Sequence, residues 1–534
     1  MDSSSSDAAG GQALEKIFST SRNECPEPLK AQVQGHLPPW LQGTLLRNGP
    51  GMHSVGETAY NHWFDGLALL HSFTIKDGDV HYRSKYLRSD TYNCNMEANR
   101  IVISEFGTMA YPDPCKSIFS KAASYLSHAI PDFTDNCLIN IIKCGEDFYA
   151  TTETNYIRKI DPKTLETLEK VDYTKYVAVN LATSHPHYDS AGNTLNMGTS
   201  IGDKGKTKYM IFRIPSTNPD KEKKKSCVKY AEVLCTIPSH GLLSPSYYHS
   251  FGMSENYIIF LEQPFKLDIL KLATAYFRGV NWASCISFNE GEKTWIHIVD
   301  KRTKKAVSTK FYTDSMVVYH HVNAYEEDNH VVFDVIAYKD NSLYDLFYMA
   351  NLKHDFEEKN VLTSVPFCKR FVIPLQHDKK AEVGTNLIKL PSTTAKATKE
   401  KDDSIYCQPE ILCEGIELPR INYDYNGKNY RYIFAARVEW RPIPTQIVKF
   451  DLLTKKMLRW AEEHCWPAEP VFVPSPNATE EDDGVILSVI VSTDSKKAPF
   501  LLILDGKTFT ELARASVNVD MHLDLHGMFI PDGK

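Results

Sequence analysis

Nineteen histidines are spread over the 534 residues, and four stand in settings that could do chemistry. His185 precedes a proline in Thr183-Ser184-His185-Pro186-His187, which biases its backbone toward an extended form. His249 follows Tyr247-Tyr248, His320 follows Val317-Val318-Tyr319, and His526 sits in Leu523-Asp524-Leu525-His526-Gly527. An imidazole buried among such neighbours must be hydrogen-bonded or metal-bound. For each one alone, a hydrogen-bonded core histidine is the simpler reading. The spacings of 64, 71 and 206 residues match no local metal motif of the HExxH kind. Glu153, Glu417 and Glu469 stand in comparable apolar or β-prone surroundings. A ligating histidine usually donates its second ring N–H to a carboxylate, so three such acids beside four histidines would suit a metal centre. Surface salt bridges are the alternative for each acid taken singly.

The elements that must position these residues read as strands. Short β-branched or aromatic runs recur, among them Tyr209–Ile214, Tyr257–Glu262, Trp295–Asp300, Val331–Tyr338, Tyr432–Trp440, Val485–Val491 and Phe500–Asp505. Between runs lie Asp77-Gly78, Asn426-Gly427 and Asp483-Gly484, all favoured turn pairs. Even spacing of short strands predicts a sandwich, barrel or propeller, and the length favours a propeller with long insertions. Phe119–Ile130 and Leu267–Phe277 have helical apolar spacing. The second has basic flanks, so it reads as a core-facing helix or one lying in a membrane interface. The polar stretch Asp378–Asp403 and the Lys221–Lys225 run read as surface loops, and residues 1–12 as a disordered tail.

Composition excludes some classes. Hydrophobic residues at 42% suffice for a large core, and 60 basic against 67 acidic side chains leave a net charge of −7, which does not suit a nucleic-acid binder. The 28 Tyr, 25 Phe and seven Trp suit a long apolar ligand. The first residues lack the basic and then apolar pattern of a signal peptide, and no run reaches the ~18 apolar residues of a membrane span. Twelve cysteines without a CxxC pair read as reduced thiols, which predicts a cytosolic protein.

Six strings in order then carry a family resemblance: Asn61-His62-Trp63-Phe64-Asp65-Gly66, Ser104-Glu105-Phe106-Gly107-Thr108, Pro112-Asp113-Pro114-Cys115-Lys116, Ser184-His185-Pro186-His187, Tyr248-His249-Ser250-Phe251-Gly252 and Glu480-Glu481-Asp482-Asp483-Gly484. Together they resemble the carotenoid cleavage oxygenases, from about Glu27 to Pro531. The strings around His185 and His526 look most like the animal central-cleaving members, rather than the eccentric-cleaving oxygenases or the retinoid isomerohydrolase.

The resemblance implies an all-β fold, a seven-bladed β-propeller capped by helices and loops with iron on its axis. Residues 1–26 would form a partly disordered tail and 27–534 a single domain. One Fe(II) per chain would be held by His185, His249, His320 and His526, with Glu153, Glu417 and Glu469 orienting three of them. The family motif sets aside His321 and His187. Four neutral imidazoles leave the metal its full charge and two open positions at six-coordination, so the organic substrate need not be a ligand; a 2-His-1-carboxylate site differs on both counts. The implied reaction adds both atoms of O₂ across the central double bond of β-carotene or a related provitamin A carotenoid, giving aldehydes. Phe106, Tyr247, Tyr338 and Trp466 are the implied tunnel aromatics, able to stabilise a developing cation by up to ~2 kcal/mol when desolvated. Asp65 reads as a structural or turn residue near the tunnel. An apolar substrate dissolved in bilayers implies transient membrane contact, for which Leu267, Ile269, Leu270, Tyr276 and Phe277 are candidates. Cys115 joins them because it matches a lipid-modified position of the isomerohydrolase relative. No nucleic acid, flavin, nicotinamide, haem or obligate protein partner is implied.

Overall fold

The computed structural model describes residues 15–20, 23–110, 131–202, 206–220, 226–353 and 356–533. Cys115, Phe119–Ile130, Lys221–Lys225 and residues 1–12 lie outside them. Alternation at period two gives half-buried strands such as Asp79–Tyr86, in which every second side chain is buried. Strands such as Thr194–Ile201 and His330–Tyr338 are buried along their whole length, polar residues included, because neighbouring layers cover both faces. The expected strands recur with small shifts: Thr207–Ile214, Tyr257–Glu262, Thr294–Asp300, His330–Tyr338, Gly484–Ser492 and Phe500–Asp505. Tyr432–Trp440 stops earlier, at Arg437.

Among the described residues these strands form seven sheets of four or more strands and two two-stranded ribbons. Most strands pair antiparallel with a neighbour in sequence, so the sheets follow one another along the chain in a propeller arrangement. The two ends of the chain close the ring. His526–Pro531 pairs with Gly43–Met52, and Gln32–Gly35 pairs with Glu511–Ser516. Inward strands of successive sheets meet along the middle: Val317–Glu327 adjoins both Gly252–Met253 and Ile416–Arg420, and His526–Pro531 adjoins Asn140–Cys144. Phe18, in the stretch expected to be tail, is fully buried edge-on to Trp63 at 5.6 Å, and the first strand begins at Cys25.

Local chemistry explains the turns and helices. Asp77 and Gly78 both have positive φ, 51° and 81°, as a two-residue hairpin between Leu67–Lys76 and Asp79–Tyr86 requires. Asp483-Gly484 is instead a strand entrance, where Gly484 pairs with Pro474. Asn426-Gly427 does form a tight turn, with the Lys428 N–H donating to the Tyr425 carbonyl at 3.1 Å and Gly427 at φ 78°, inside the longer connection between Ile416–Arg420 and Tyr432–Arg437. The helix Ile269–Arg278 is capped by Asp268, whose side chain accepts from the Lys271 N–H, and ends at Gly279 with φ 63°. Asp378–Asp403 is not wholly loop. Its segment Lys396–Lys399 pairs with Ile405–Gln408, which runs parallel to Phe311–Thr313, and Ala395 and Ala397 are buried. Alternating small apolar residues among lysines and threonines carry that strand, a weaker signal than an aromatic run.

Candidate metal centre and apolar cavity

The four histidines come from four separate places in the fold. His185 lies between Leu181–Ala182 and His187–Tyr188, His249 just before Gly252–Met253, His320 within Val317–Glu327, and His526 opens the closing strand. Their nearest ring nitrogens all lie within 4.8 Å of one another. Nε2 of His185 is 2.9 Å from Nε2 of His249, and ring centroids of His185 lie 5.1 Å from His320 and 4.5 Å from His526.

Backbone irregularities aim these side chains. Strict alternation would send His320 and His321 to opposite faces, and the register of Val317–Glu327 against His330–Tyr338 shifts on both sides of His321. Such bulges re-aim side chains. His320 joins the cluster; His321 stacks on Phe333 at 6.2 Å. His187 also stays out, with Nε2 2.9 Å from the Phe251 carbonyl and Nδ1 3.2 Å from the Tyr423 hydroxyl. A second bulge follows Glu417, where Leu418 has φ 50°, unusual for a side chain of its size. Its N–H donates to the Glu417 carboxylate.

Three carboxylates stand behind the rings. Glu153 faces Nδ1 of His249, Glu417 Oε2 lies 2.5 Å from Nδ1 of His320, and Glu469 Oε2 lies 2.6 Å from Nδ1 of His526. Each carboxylate fixes the ring proton on Nδ1, so the three Nε2 lone pairs point inward at one another. That arrangement is repulsive unless a cation occupies the centre. Nε2 of His320 is buried without any partner, which is what a ligand atom waiting for a metal would display. Burial, then the neighbouring His526, His249 and His320, hold His185 well below the ordinary histidine range. Burial outweighs Glu469 and lowers His526 to about 4. At His320 burial opposes the charge, but Glu417 prevails and raises the imidazole. A metal would displace that proton, since ligating imidazoles must be neutral. The residues therefore fit a divalent transition metal with all-nitrogen ligation.

Behind Glu469 lies a buried charge network that no sequence motif announces. Arg47 Nη1 is 3.0 Å from Glu469 Oε1, and its Nη2 lies 2.5 Å from Asp524 Oδ1 and 3.1 Å from the Leu525 carbonyl. Arg420 adds a contact to the same Glu469 oxygen at 2.8 Å. Asp524 in turn meets Nε2 of His71 at 2.8 Å. Burial works against both carboxylates, yet the guanidinium and imidazole partners hold Glu469 and Asp524 well below the usual range. Gly527 makes this packing feasible, because an added Cβ would lie 1.9 Å from the Leu46 carbonyl oxygen. Gly527→Ala should force the closing strand outward, costing about 1–3 kcal/mol as overpacking does. A lowered Tm together with reduced metal content would bear this out; an unchanged Tm would count against it.

The cluster opens onto a cavity of about 1800 Å³, open space at its mouth included. Its walls are mainly apolar, with Trp63, Phe64, Phe133, Trp282 and Phe347 among them. Glu153, Glu417, His249, His320 and His526 line it as well. Of the expected aromatics, Phe106, Tyr247 and Tyr338 line the cavity. Trp466 does not; it packs edge-on to Phe356 at 6.3 Å, while the next residue, Pro467, reaches the wall. Tyr247 has a second role, donating to Glu153 Oε2 at 2.6 Å. Sequence reasoning missed Tyr344, whose hydroxyl lies 2.5 Å from that of Tyr247 and whose ring lies 5.6 Å from Phe106 and 4.8 Å from Tyr319. It sits on the short helix Ser342–Leu346, with no motif to flag it. Asp65 is fully buried and accepts from the Gly107 N–H at 2.8 Å and the Thr108 hydroxyl at 2.6 Å. Burial pushes its carboxyl up to about 7 against those bonds.

The helix Ile269–Arg278 stands beside this cavity. Leu267 and Leu272 line it, and Ile269 is buried with them, whereas Leu270 and Phe277 are 61% and 60% exposed. Tyr276 is half-buried. The candidate membrane residues thus divide, Leu267 and Ile269 facing inward and Leu270 and Phe277 outward. No helix among the described residues is long and apolar enough to cross a membrane.

Comparison with known proteins agrees with this geometry. The sequence profile described as retinal pigment epithelial membrane protein matches residues 18–531. The beta,beta-carotene 15,15'-dioxygenase of Mus musculus is 74% identical over 520 residues, 97% of this chain and 92% of the relative. That of Gallus gallus is 73% identical over 518 residues, 97% and 98% of the two chains. The mitochondrial carotenoid-cleaving dioxygenase of Homo sapiens is 42% identical over 525 residues, covering 96% and 90%. Among solved structures, a point variant of the Synechocystis apocarotenoid oxygenase superposes with a TM-score of 0.76 at 21% identity, covering 98% of this chain and 99% of that one. With the profile spanning nearly the whole chain and relatives this similar, the protein belongs to the retinal pigment epithelial membrane protein family, that of the carotenoid cleavage oxygenases.

Proposed function

We propose that this chain is a dioxygenase that cleaves the central 15,15′ double bond of β-carotene with O₂, forming two molecules of retinal. The observation that carries this reading is a four-imidazole cluster opening onto a mainly apolar cavity. Relatives at 73–74% identity named as beta,beta-carotene 15,15'-dioxygenases support the choice of bond. Both oxygen atoms enter the products, one on each new aldehyde, so no reductant is consumed. His185, His249, His320 and His526 would hold Fe(II), which when bound supplies the redox chemistry that lets O₂ react with a polyene. The seven sheets of four or more strands support counting seven blades, with the cluster at their axis.

The chain's own residues set the conditions. Apolar walls hold the polyene straight and exclude water from the reacting bond. Glu153, Glu417 and Glu469 keep the Nδ1 protons in place and so keep the Nε2 atoms inward. Tyr247 and Tyr344 form a hydrogen-bonded pair that fixes Glu153 while offering ring faces to the cavity. We further infer a cytosolic protein with transient membrane contact, supported by exposed Leu270 and Phe277 on a helix flanking the cavity wall. Related provitamin A carotenoids fit the same description.

The test is an anaerobic incubation of Fe(II)-loaded protein with β-carotene, followed by air and chromatography of the products. Retinal formed only after O₂ is the expected result. A longer apocarotenal would move the cleaved bond, and product from a retinyl ester without O₂ would replace cleavage by isomerohydrolysis.

A further inference from the structure

A second cluster of metal-type ligands lies apart from the four histidines and shares no residue with them. His240, Glu262 and His297 bring one donor atom each within 4.8 Å of one another. Sheet geometry accounts for two of the three. Glu262 closes the strand Tyr257–Glu262, and His297 lies on its neighbour Thr294–Asp300; Phe260 is opposite His297 and Glu262 opposite Trp295. The carboxylate and imidazole are therefore diagonal neighbours on one face. His240 arrives from the segment that follows Glu232–Pro238, in the adjacent sheet.

The carboxylate is oriented as a ligand would be. Oε2 of Glu262 accepts from the Tyr209 hydroxyl at 2.8 Å and from the His240 backbone N–H at 3.0 Å. Tyr209 is itself held by the Ser246 N–H at 2.8 Å. That leaves Oε1 facing both imidazoles, Nδ1 of His240 and, at 3.1 Å, Nε2 of His297. Both rings are braced: His240 stacks on Trp295 at 4.8 Å and 10°, His297 on Phe260 at 5.6 Å and 15°. Such backing by neighbours is what sets ligand direction in metal sites. The two histidines hold Glu262 well below the usual carboxylate range in spite of its burial. A cleft borders the cluster, and the His240 side chain is 48% exposed to it. Of the two lysines on that cleft, Lys266 is paired with Glu292, and Lys293 lies over the Tyr312 ring at 3.9 Å.

We propose that His240, Glu262 and His297 form a second divalent-metal site, suited to Zn²⁺, with solvent completing the coordination. Two imidazoles and one carboxylate with an open fourth position are a recognised zinc ligand set. Binding would replace the two N–H···O contacts to Oε1 by three metal–ligand bonds, each neutral ring moving its proton to the nitrogen that does not ligate.

The test uses the full iron-loaded chain with Zn²⁺ as the probe. After equilibration with Zn²⁺ and desalting, metals are counted by mass spectrometry while iron content and retinal formation are followed in parallel. The expected result is one zinc per chain with iron retained, and at least a tenfold weaker zinc affinity in His240→Ala and in His297→Asn. His240 is half exposed, so its replacement leaves the fold intact, and iron content should not change. Zinc uptake equal in wild type and both variants, uptake only at the expense of iron, or none at all would overturn the proposal. Because the readout is zinc, it stands whether or not β-carotene is the substrate.

Discussion

His320→Ala should leave no detectable retinal formation and almost no bound iron. Nε2 of His320 is a buried, inward-facing nitrogen with no other partner, so its removal takes a ligand and leaves a gap in the cluster. Glu417 loses its imidazole at the same time and remains a buried carboxylate that accepts from the Leu418 N–H. The comparison is Glu417→Gln, which keeps the ligand but loosens its orientation and basicity. Replacing an outer partner of this kind typically costs about 10–100-fold in metal affinity or activity. The alanine variant should exceed that loss, with the glutamine variant partly recovering when Fe(II) is raised. Iron assay and product chromatography on the two proteins side by side decide the matter. An alanine variant that holds iron and turns over normally would remove His320 from the centre.

Arg47→Met should destabilise the fold more than Gly527→Ala does, although Arg47 touches none of the four histidines directly. The side chain is fully buried and bridges Glu469 and Asp524, two carboxylates that are themselves buried. Burial opposes the guanidinium charge, but these two partners hold it firmly protonated. Removing one member of such a group leaves uncompensated buried charge, at a cost of about 3–5 kcal/mol. For a chain of this length the unfolding entropy is on the order of 1 kcal/mol/K, so Tm should fall by about 3–5 °C. Unfolding of so large a protein is commonly irreversible, and Tm must be compared at one scan rate. Arg420→Met is the control, since Arg420 is 32% exposed and contacts the same Glu469 oxygen. Its effect should be smaller by half or more. A thermal scan showing equal losses, or none for Arg47→Met, would refute the account.

The residues alone marked candidates for the site, and the family resemblance joined them into one ligand set. His185 before Pro186, His249 after paired tyrosines and His526 before Gly527 each carry short-range signals that survive without coordinates. The strands were equally legible where aromatic or β-branched runs are dense, as at Tyr257–Glu262 and Phe500–Asp505, whose bounds agree residue for residue. Legibility failed where the signal was composition rather than periodicity. The strand Lys396–Lys399 hid in a polar stretch, and Trp466, placed at the tunnel by the family resemblance, packs against Phe356 instead. Arg47 gave no sign, because its partners lie 422 and 477 residues away.

The sequence by itself determined which side chains were available: four histidines, three acids, an aromatic interior and the short strands to carry them. Local preference acts over a few residues, and that suffices for strands, turns and caps. Only the tertiary structure decided that Nε2 atoms drawn from residues as far apart as His185 and His526 would share one centre. It did so through ring closure, which pairs His526–Pro531 with Gly43–Met52 and packs Arg47 behind Glu469. It also supplies the physical reason that His320 and His321 part as the family motif implies, with register shifts beside His321 that leave one ring in the cluster and the other against Phe333. Those bulges answer to packing between sheets, an energy that no window of neighbouring residues contains.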